Sequence, residues 1–414
     1  MPLTFLFLAA LGLVIFGIAL ALGADKAVVA PTHPGAVGAA HSGLLVFLST
    51  AVLGALHQFA PVVGARPLRS VPVARVTAVV FFGGAVVLAG AFAHVGSAWL
   101  VPWGGAAAFT GVVLAAWNLS GPLSSRQGGT PLVGLRLSVT FLVVTAAFGI
   151  VYAFNREAGW FPLFPERVMA HAHLGLLGWL GLTYVAVAEK LWPMFLLAHR
   201  PGARSGARAV SYLAAGSALL APGLLFEIQP LAVAGGTLAV AGLLAHLVSL
   251  GGVIRHRRRR LELLHAFVLA AAVAMVVGIA LGAVAGIGDI DVDTRFRLAA
   301  AEVAALAAWL TLAVIGHAHK IVPFISWGML RSRGVTTAPG GGPLLFQHLF
   351  DARVARLTFV VVVASEAAVV GGLLARSEPV MVAGALGLIA TGALVFGNLG
   401  LGPRRAARAA RSLA

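Results

Sequence analysis

The 414-residue chain contains no cysteine, which excludes disulfides, thiolate metal sites and iron-sulfur clusters. Charge is scarce as well: charged residues make up 10% of the chain, with 13 acidic side chains against 29 basic ones. Apolar residues fill the gap, at 60% of the sequence and a mean hydropathy of +0.98. A chain of this kind cannot cover its apolar surface in water and needs a bilayer as solvent. Twelve apolar runs are long enough to cross one, at 3–22, 38–62, 76–96, 103–120, 134–154, 168–196, 209–226, 231–254, 262–286, 298–326, 354–375 and 379–401. The expected fold is all-α, a polytopic membrane bundle of about twelve transmembrane helices.

The net charge of +16 would suit a nucleic-acid binder, but its distribution indicates membrane topology instead. Arginines crowd every second connection: Arg66, Arg69 and Arg75 after the second run, Arg126 and Arg136 after the fourth, and Arg200, Arg204 and Arg208 after the sixth. The series continues with Arg255 and Arg257 to Arg260, then Arg331, Arg333, Arg353 and Arg356, and ends in a basic tail over 402–414. The alternate connections hold most of the loop acids, including Asp25, Glu157, Glu166, Asp289, Asp291 and Asp293. By the positive-inside rule the arginine-rich side is cytoplasmic, with both termini inside a prokaryotic-type inner membrane. The run from Arg255 to Arg260 reads as a topology signal and a contact with lipid headgroups, not as a nucleic-acid site. The first run lacks a basic leader and a small-residue cleavage site, so it is expected to remain as a helix.

One helix-length segment occurs twice. His41-Ser-Gly-Leu-Leu runs to Pro61 and His173-Leu-Gly-Leu-Leu runs to Pro193, each histidine 20 residues before its proline. A third copy survives at its far end, where His319-Lys-Ile-Val-Pro323 aligns with Glu189-Lys-Leu-Trp-Pro193, while the position equivalent to the first histidines is Val303. Self-similarity at a fixed period is a statement about architecture. It implies a single domain of three pseudo-repeated arcs of four helices, roughly 1–130, 131–260 and 261–401.

Topology sorts the histidines by depth. His41, His171 and His173 lie near the outer end of their segments, whereas His57, His317 and His319 lie near the inner end; His41 and His57 are about 24 Å apart along a helix, too far to share a site. Imidazoles at membrane depth face a cavity, a partner or a cofactor. Haem iron suits the outer layer, because imidazole is a good ligand and the porphyrin offers apolar area to the surrounding Leu, Phe and Gly. In the His171-Ala-His173 pair the two side chains point about 200° apart on a helix and so serve different partners. The plain alternative is that each is a hydrogen-bonded interfacial residue. His33, between Pro31 and Pro34, reads as a solvated loop histidine.

The run from His171 through Gly178-Trp179 and Tyr184 to Trp192-Pro193 resembles the haem-ligating helix of haem-copper oxidase subunit I, notably in its cbb-type oxidase and nitric oxide reductase branches. The run from His41 through Pro61-Val-Val-Gly64-Ala65 is similar to the second helix of that subunit. Twelve helices in three arcs is the same family's architecture, and NnrS-type membrane proteins share the pattern. The resemblance implies a b-type haem on His41 and His173, with His171 free for a second haem or a metal. It further implies oxidoreductase chemistry of the nitric-oxide-reductase or cytochrome-b kind, with an electron-donor protein or quinol as partner. The H-x-H pair, however, stands on the sixth segment instead of the family's tenth, and the copper-site Trp-His-Glu cluster and His-His pair are absent.

The inner layer gathers His57, Gln58, Glu189, Lys190, His317, His319 and Lys320 just before the three repeat prolines. His57, Glu189 and His319 each stand four residues before a proline and, with His317, form a candidate site for zinc, iron or copper. A proton-conducting cluster would use the same residues, and a snorkelling headgroup layer would look alike. His94, His246, His265 and Glu366 are scattered polar residues. The competing functional class is a metal or haem transporter or assembly factor, since transporters too are built from repeats.

Overall fold

A computed structural model describes residues 2–93, 96–199, 204–338 and 341–411; His94 and Arg200 lie outside them. Twelve helices are long and apolar enough to span a membrane. They are α1 (Leu3–Leu22), α2 (Pro34–Gly64), α3 (Val71–Phe92), α4 (Leu100–Leu123), α5 (Gly129–Ala158), α6 (Pro165–Leu196), α7 (Arg204–Leu225), α8 (Gln229–Arg255), α9 (Leu263–Ile287), α10 (Val292–Ser332), α11 (Ala352–Ala375) and α12 (Glu378–Arg404). The only β pairing among the described residues is an isolated bridge between Thr337 and Pro343. The protein is an all-α polytopic membrane bundle.

Helix ends follow local chemistry. Ser70 caps α3 by accepting from the Val73 amide, Asp291 caps α10 through Thr294, and Asp351 caps α11 through Arg353 and Val354. Several helices outrun their apolar stretches. α5 carries Arg136 and Arg156 inside its ends, and α10 spans 41 residues, roughly 60 Å at the helical rise, or twice the hydrocarbon thickness. Charged side chains near helix ends reach the headgroup layer on their flexible stems, so a charge in the sequence need not end a helix.

Helices adjacent in sequence pack in succession around the bundle: α3 on α4, α4 on α5, α7 on α8, α9 on α10 and α11 on α12, with α12 returning to α1. The helices that carry the repeated segment are the most enclosed. Their apolar windows are 67%, 78% and 56% buried for α2, α6 and α10, against 28–50% for the others. Many polar groups on these helices, among them His57, His173, Glu189, Glu302, His317 and His319, are therefore buried in protein. Trp179 of α6 donates its indole N–H to Ser49 Oγ of α2 at 3.0 Å, joining the first two of them at their middles.

The duplication extends to backbone conformation. α2 contains a π-helical stretch over Ser42–Ser49 and α6 contains one over Leu174–Gly181, offset by the same 132 residues that separate His41 from His173. π-helix is rare, and its wide turn re-aims neighbouring side chains. Both helices end in a left-handed non-glycine residue four positions past the proline, Ala65 and Leu197, each with φ of 49°. α10 has neither feature and continues nine residues beyond Pro323.

A second recurrence links α1–α2 with α9–α10, at an offset of 262 residues. His57 lies against Phe5 at 5.3 Å with ring planes 20° apart, and His319 lies against Phe267 at 5.7 Å and 22°. The helices meet there because both positions one turn earlier are glycine. A Cβ on Gly54 would fall 2.3 Å from Phe5 Cβ, and one on Gly316 would fall 2.6 Å from Phe267 Cβ.

Candidate functional site

α2 starts at Pro34 behind His33, whose Nδ1 accepts from the Gly35 amide at 3.1 Å. His33 is thus a helix cap. Two turns on, His41 donates from Nδ1 to the Val37 carbonyl at 2.8 Å. This bond sets the tautomer and leaves Nε2 as the nitrogen with a free lone pair.

The ring facing His41 from α6 is that of His171. Their centres are 6.3 Å apart and their planes differ by 23°. Two imidazoles on opposite sides of one metal would have ring centres about 6.2 Å apart, from metal–nitrogen bonds of about 2.0 Å and about 1.1 Å more to each ring centre; stacked rings with nothing between them also reach the observed spacing. Phe92 of α3 stacks on the other side of His41 at 5.2 Å, and Tyr152 of α5 meets His171 edge-on at 5.9 Å while donating its hydroxyl to the Arg167 carbonyl. Gly149 of α5 makes room for His171, since a Cβ there would lie 3.2 Å from Cε1. His171 Nδ1 is buried without a hydrogen-bond partner. An unsatisfied imidazole nitrogen inside a membrane bundle is a costly feature that a ligand would relieve.

His173 points elsewhere, as the H-x-H geometry requires. Its Nδ1 donates to the Met169 carbonyl at 2.8 Å, and its Nε2 lies 3.2 Å from Glu302 Oε1 on α10. Both side chains are buried. The sequence expectation set a haem on His41 and His173; in the structure His41 faces His171 and His173 faces Glu302, two pairs issuing from opposite sides of a single turn of α6. Glu302 escaped the sequence reading although a signal existed: it is a lone carboxylate in the apolar run 298–326, next to Val303, the position that matches His41 and His173.

The inner layer disperses. His57, His317 and His319 each donate from Nδ1 to the carbonyl four residues earlier, at 2.7, 2.7 and 2.9 Å, leaving Nε2 buried and without a partner. His57 faces Phe5, His319 faces Phe267 and Phe350, and His317 faces Tyr184 and Phe195. Glu189 accepts from Ser249 of α8 at 2.8 Å. Among the described residues no three His, Cys, Asp or Glu side chains come close enough to hold a metal. The residues expected to share one, His57, Glu189, His317 and His319, turn to different neighbours because they leave α2, α6 and α10 toward different surrounding helices. Lys320 reaches the surface, pairs with Glu262 at 2.5 Å and lies over the Phe346 ring.

Another buried group gathers around Tyr184, with His246 of α8 at 5.3 Å, Trp309 of α10 at 5.5 Å and His317 at 6.1 Å. The sequence reading left His246 isolated, because the contact joins segments 62 residues apart that no local pattern connects. No protein-family model matches the chain, and no curated protein matches it in sequence.

Proposed function

We propose that this is a haem-binding membrane protein in which His41 and His171 would hold the haem iron, with a redox or nitric-oxide-handling role. The observation that carries this reading is the 6.3 Å separation and 23° plane angle of the two rings at the outer ends of the duplicated helices. When bound, a b-type haem supplies an iron that accepts an electron or a small gas ligand, tuned by its axial ligands and its burial. The Val37 carbonyl orients His41, Phe92 and Tyr152 wall the two imidazoles, and Gly149 leaves His171 its place. The His173–Glu302 pair ties α6 to α10 behind the site. Recurrence at 132 and 262 residues supports three haem-copper-like arcs, and the arginine-rich connections support an inner membrane with both termini cytoplasmic. Electrons would come from a donor protein or a quinol.

The same two-imidazole spacing favours one second reading, a bare ion such as copper held by His41 and His171 in a metal-handling protein. Purified protein from a haem-replete host separates the two by its absorption spectrum, a pyridine haemochrome assay and metal analysis. The haem reading expects a six-coordinate low-spin spectrum that His41→Ala and His171→Ala each abolish or convert to high-spin, while His173→Ala leaves it low-spin. Absence of a Soret band would sink it, and stoichiometric copper without haem would install the second.

A further inference from the structure

The connection from α8 to α9 places five arginines, Arg255 and Arg257 to Arg260, within six residues, all of them exposed. It is not a free loop. The amides of Arg258 and Arg259 both donate to the Leu196 carbonyl at the end of α6, at 2.9 and 3.3 Å, and Arg257 bonds through its guanidinium to the Ile254 carbonyl. His256 adds a bond from Nδ1 to the Gly252 carbonyl. The backbone therefore holds like charges together within a Debye length, about 8 Å at physiological salt, where they repel one another.

Among the described residues these arginines enter no ion pair: the pairs Lys26–Asp25, Arg156–Glu157, His173–Glu302, Lys320–Glu262 and Arg376–Asp293 leave them out. Glu262, the nearest acid in the chain, is taken by Lys320. A cluster of guanidinium groups on an anchored backbone selects an anion with several oxygens, because the fold has already gathered the charges. Beside the arginines, Met194 is 52% exposed, Leu197 48% and Leu261 41%. That apolar skirt indicates an anion mounted on a hydrocarbon body.

We propose that the segment from Arg255 to Arg260, fastened to the end of α6, binds one anionic phospholipid bearing two phosphate groups. Two phosphates match five guanidinium groups better than one, and the acyl chains cover the exposed Met194, Leu197 and Leu261. This inference is independent of the haem reading.

The test uses the full-length protein in phosphatidylcholine nanodiscs containing either diphosphatidylglycerol or twice its mole fraction of phosphatidylglycerol, so that membrane charge is equal. Lipid retained on gentle extraction is counted by native mass spectrometry. Wild type is expected to keep one diphosphatidylglycerol and to prefer it over phosphatidylglycerol by at least tenfold. The R257Q/R258Q/R259Q/R260Q variant should bind it roughly 600-fold more weakly, since each of the four basic residues near an anionic surface contributes about fivefold. R331Q/R333Q/R353Q/R356Q, which removes the same charge elsewhere, should stay within about threefold of wild type. Equal retention of the two lipids, equal loss in both variants, displacement by inorganic pyrophosphate, or tighter binding of RNA than of lipid would each overturn the proposal. The comparison of lipids on wild type stands by itself if a variant fails to fold.

Discussion

Deleting Glu302 is the most informative perturbation of the scaffold behind the outer site. Its carboxylate lies 3.2 Å from His173 Nε2, with side-chain exposures of 12% and 10%, and the other nitrogen of His173 is already committed to Met169. Glu302→Ala therefore strands one buried nitrogen with no second partner to turn to. In water-soluble proteins, breaking a buried ion pair by removing one partner costs about 3–5 kcal/mol. Hydrogen bonds between membrane helices average about 0.6 and reach about 1.7 kcal/mol, because the unfolded chain also finds partners in the bilayer. The membrane reference state dominates here, so a double-mutant cycle over His173→Ala and Glu302→Ala should give a coupling of about 1–2 kcal/mol. Each single variant should lose about 2–4 kcal/mol once the stranded group is included. Reversible unfolding in mixed micelles with increasing dodecyl sulfate measures these values through the fluorescence of the 8 tryptophans. Glu302→Gln, which keeps the shape and one hydrogen bond, should lose less than Glu302→Ala. Additive single variants, with a coupling below about 0.3 kcal/mol, would refute the pair as a link between α6 and α10.

Three further outcomes follow from the geometry. Gly54→Ala and Gly316→Ala should each destabilise by about 1–3 kcal/mol in the same assay, because the added methyl meets a phenylalanine Cβ at 2.3 or 2.6 Å; neutral variants would disprove the tight crossing. Trp179→Phe should cost about 1 kcal/mol by losing the bond to Ser49, and Ser49→Ala should add little to it, whereas independent losses would show that the bond is not made. Gly149→Val should weaken cofactor retention while sparing the helical circular dichroism, since its bulk enters the space of His171; unaltered retention would move the site away from that ring.

Composition and hydropathy were enough to establish an all-α membrane bundle and its twelve spans, because solvent alone decides that a run of twenty apolar residues crosses the bilayer as a helix. The duplication was legible too: the 132-residue offset seen in His41 and His173 reappears in the π-helical stretches and in the left-handed caps at Ala65 and Leu197. Sequence also separated the outer histidines from the inner ones, since depth along a helix is a matter of counting. Which side chains meet was beyond it. Partner choice depends on the azimuth at which α2, α6 and α10 face one another, and this is set by close helix crossings such as Gly54 on Phe5 and Gly316 on Phe267, and by the bond from Trp179 to Ser49. Those contacts gave His41 to His171, gave His173 to Glu302, gathered His246 and His317 around Tyr184, and turned the inner residues apart. A helical wheel assigns each side chain a direction on its own helix, and only the packed bundle decides what stands in that direction.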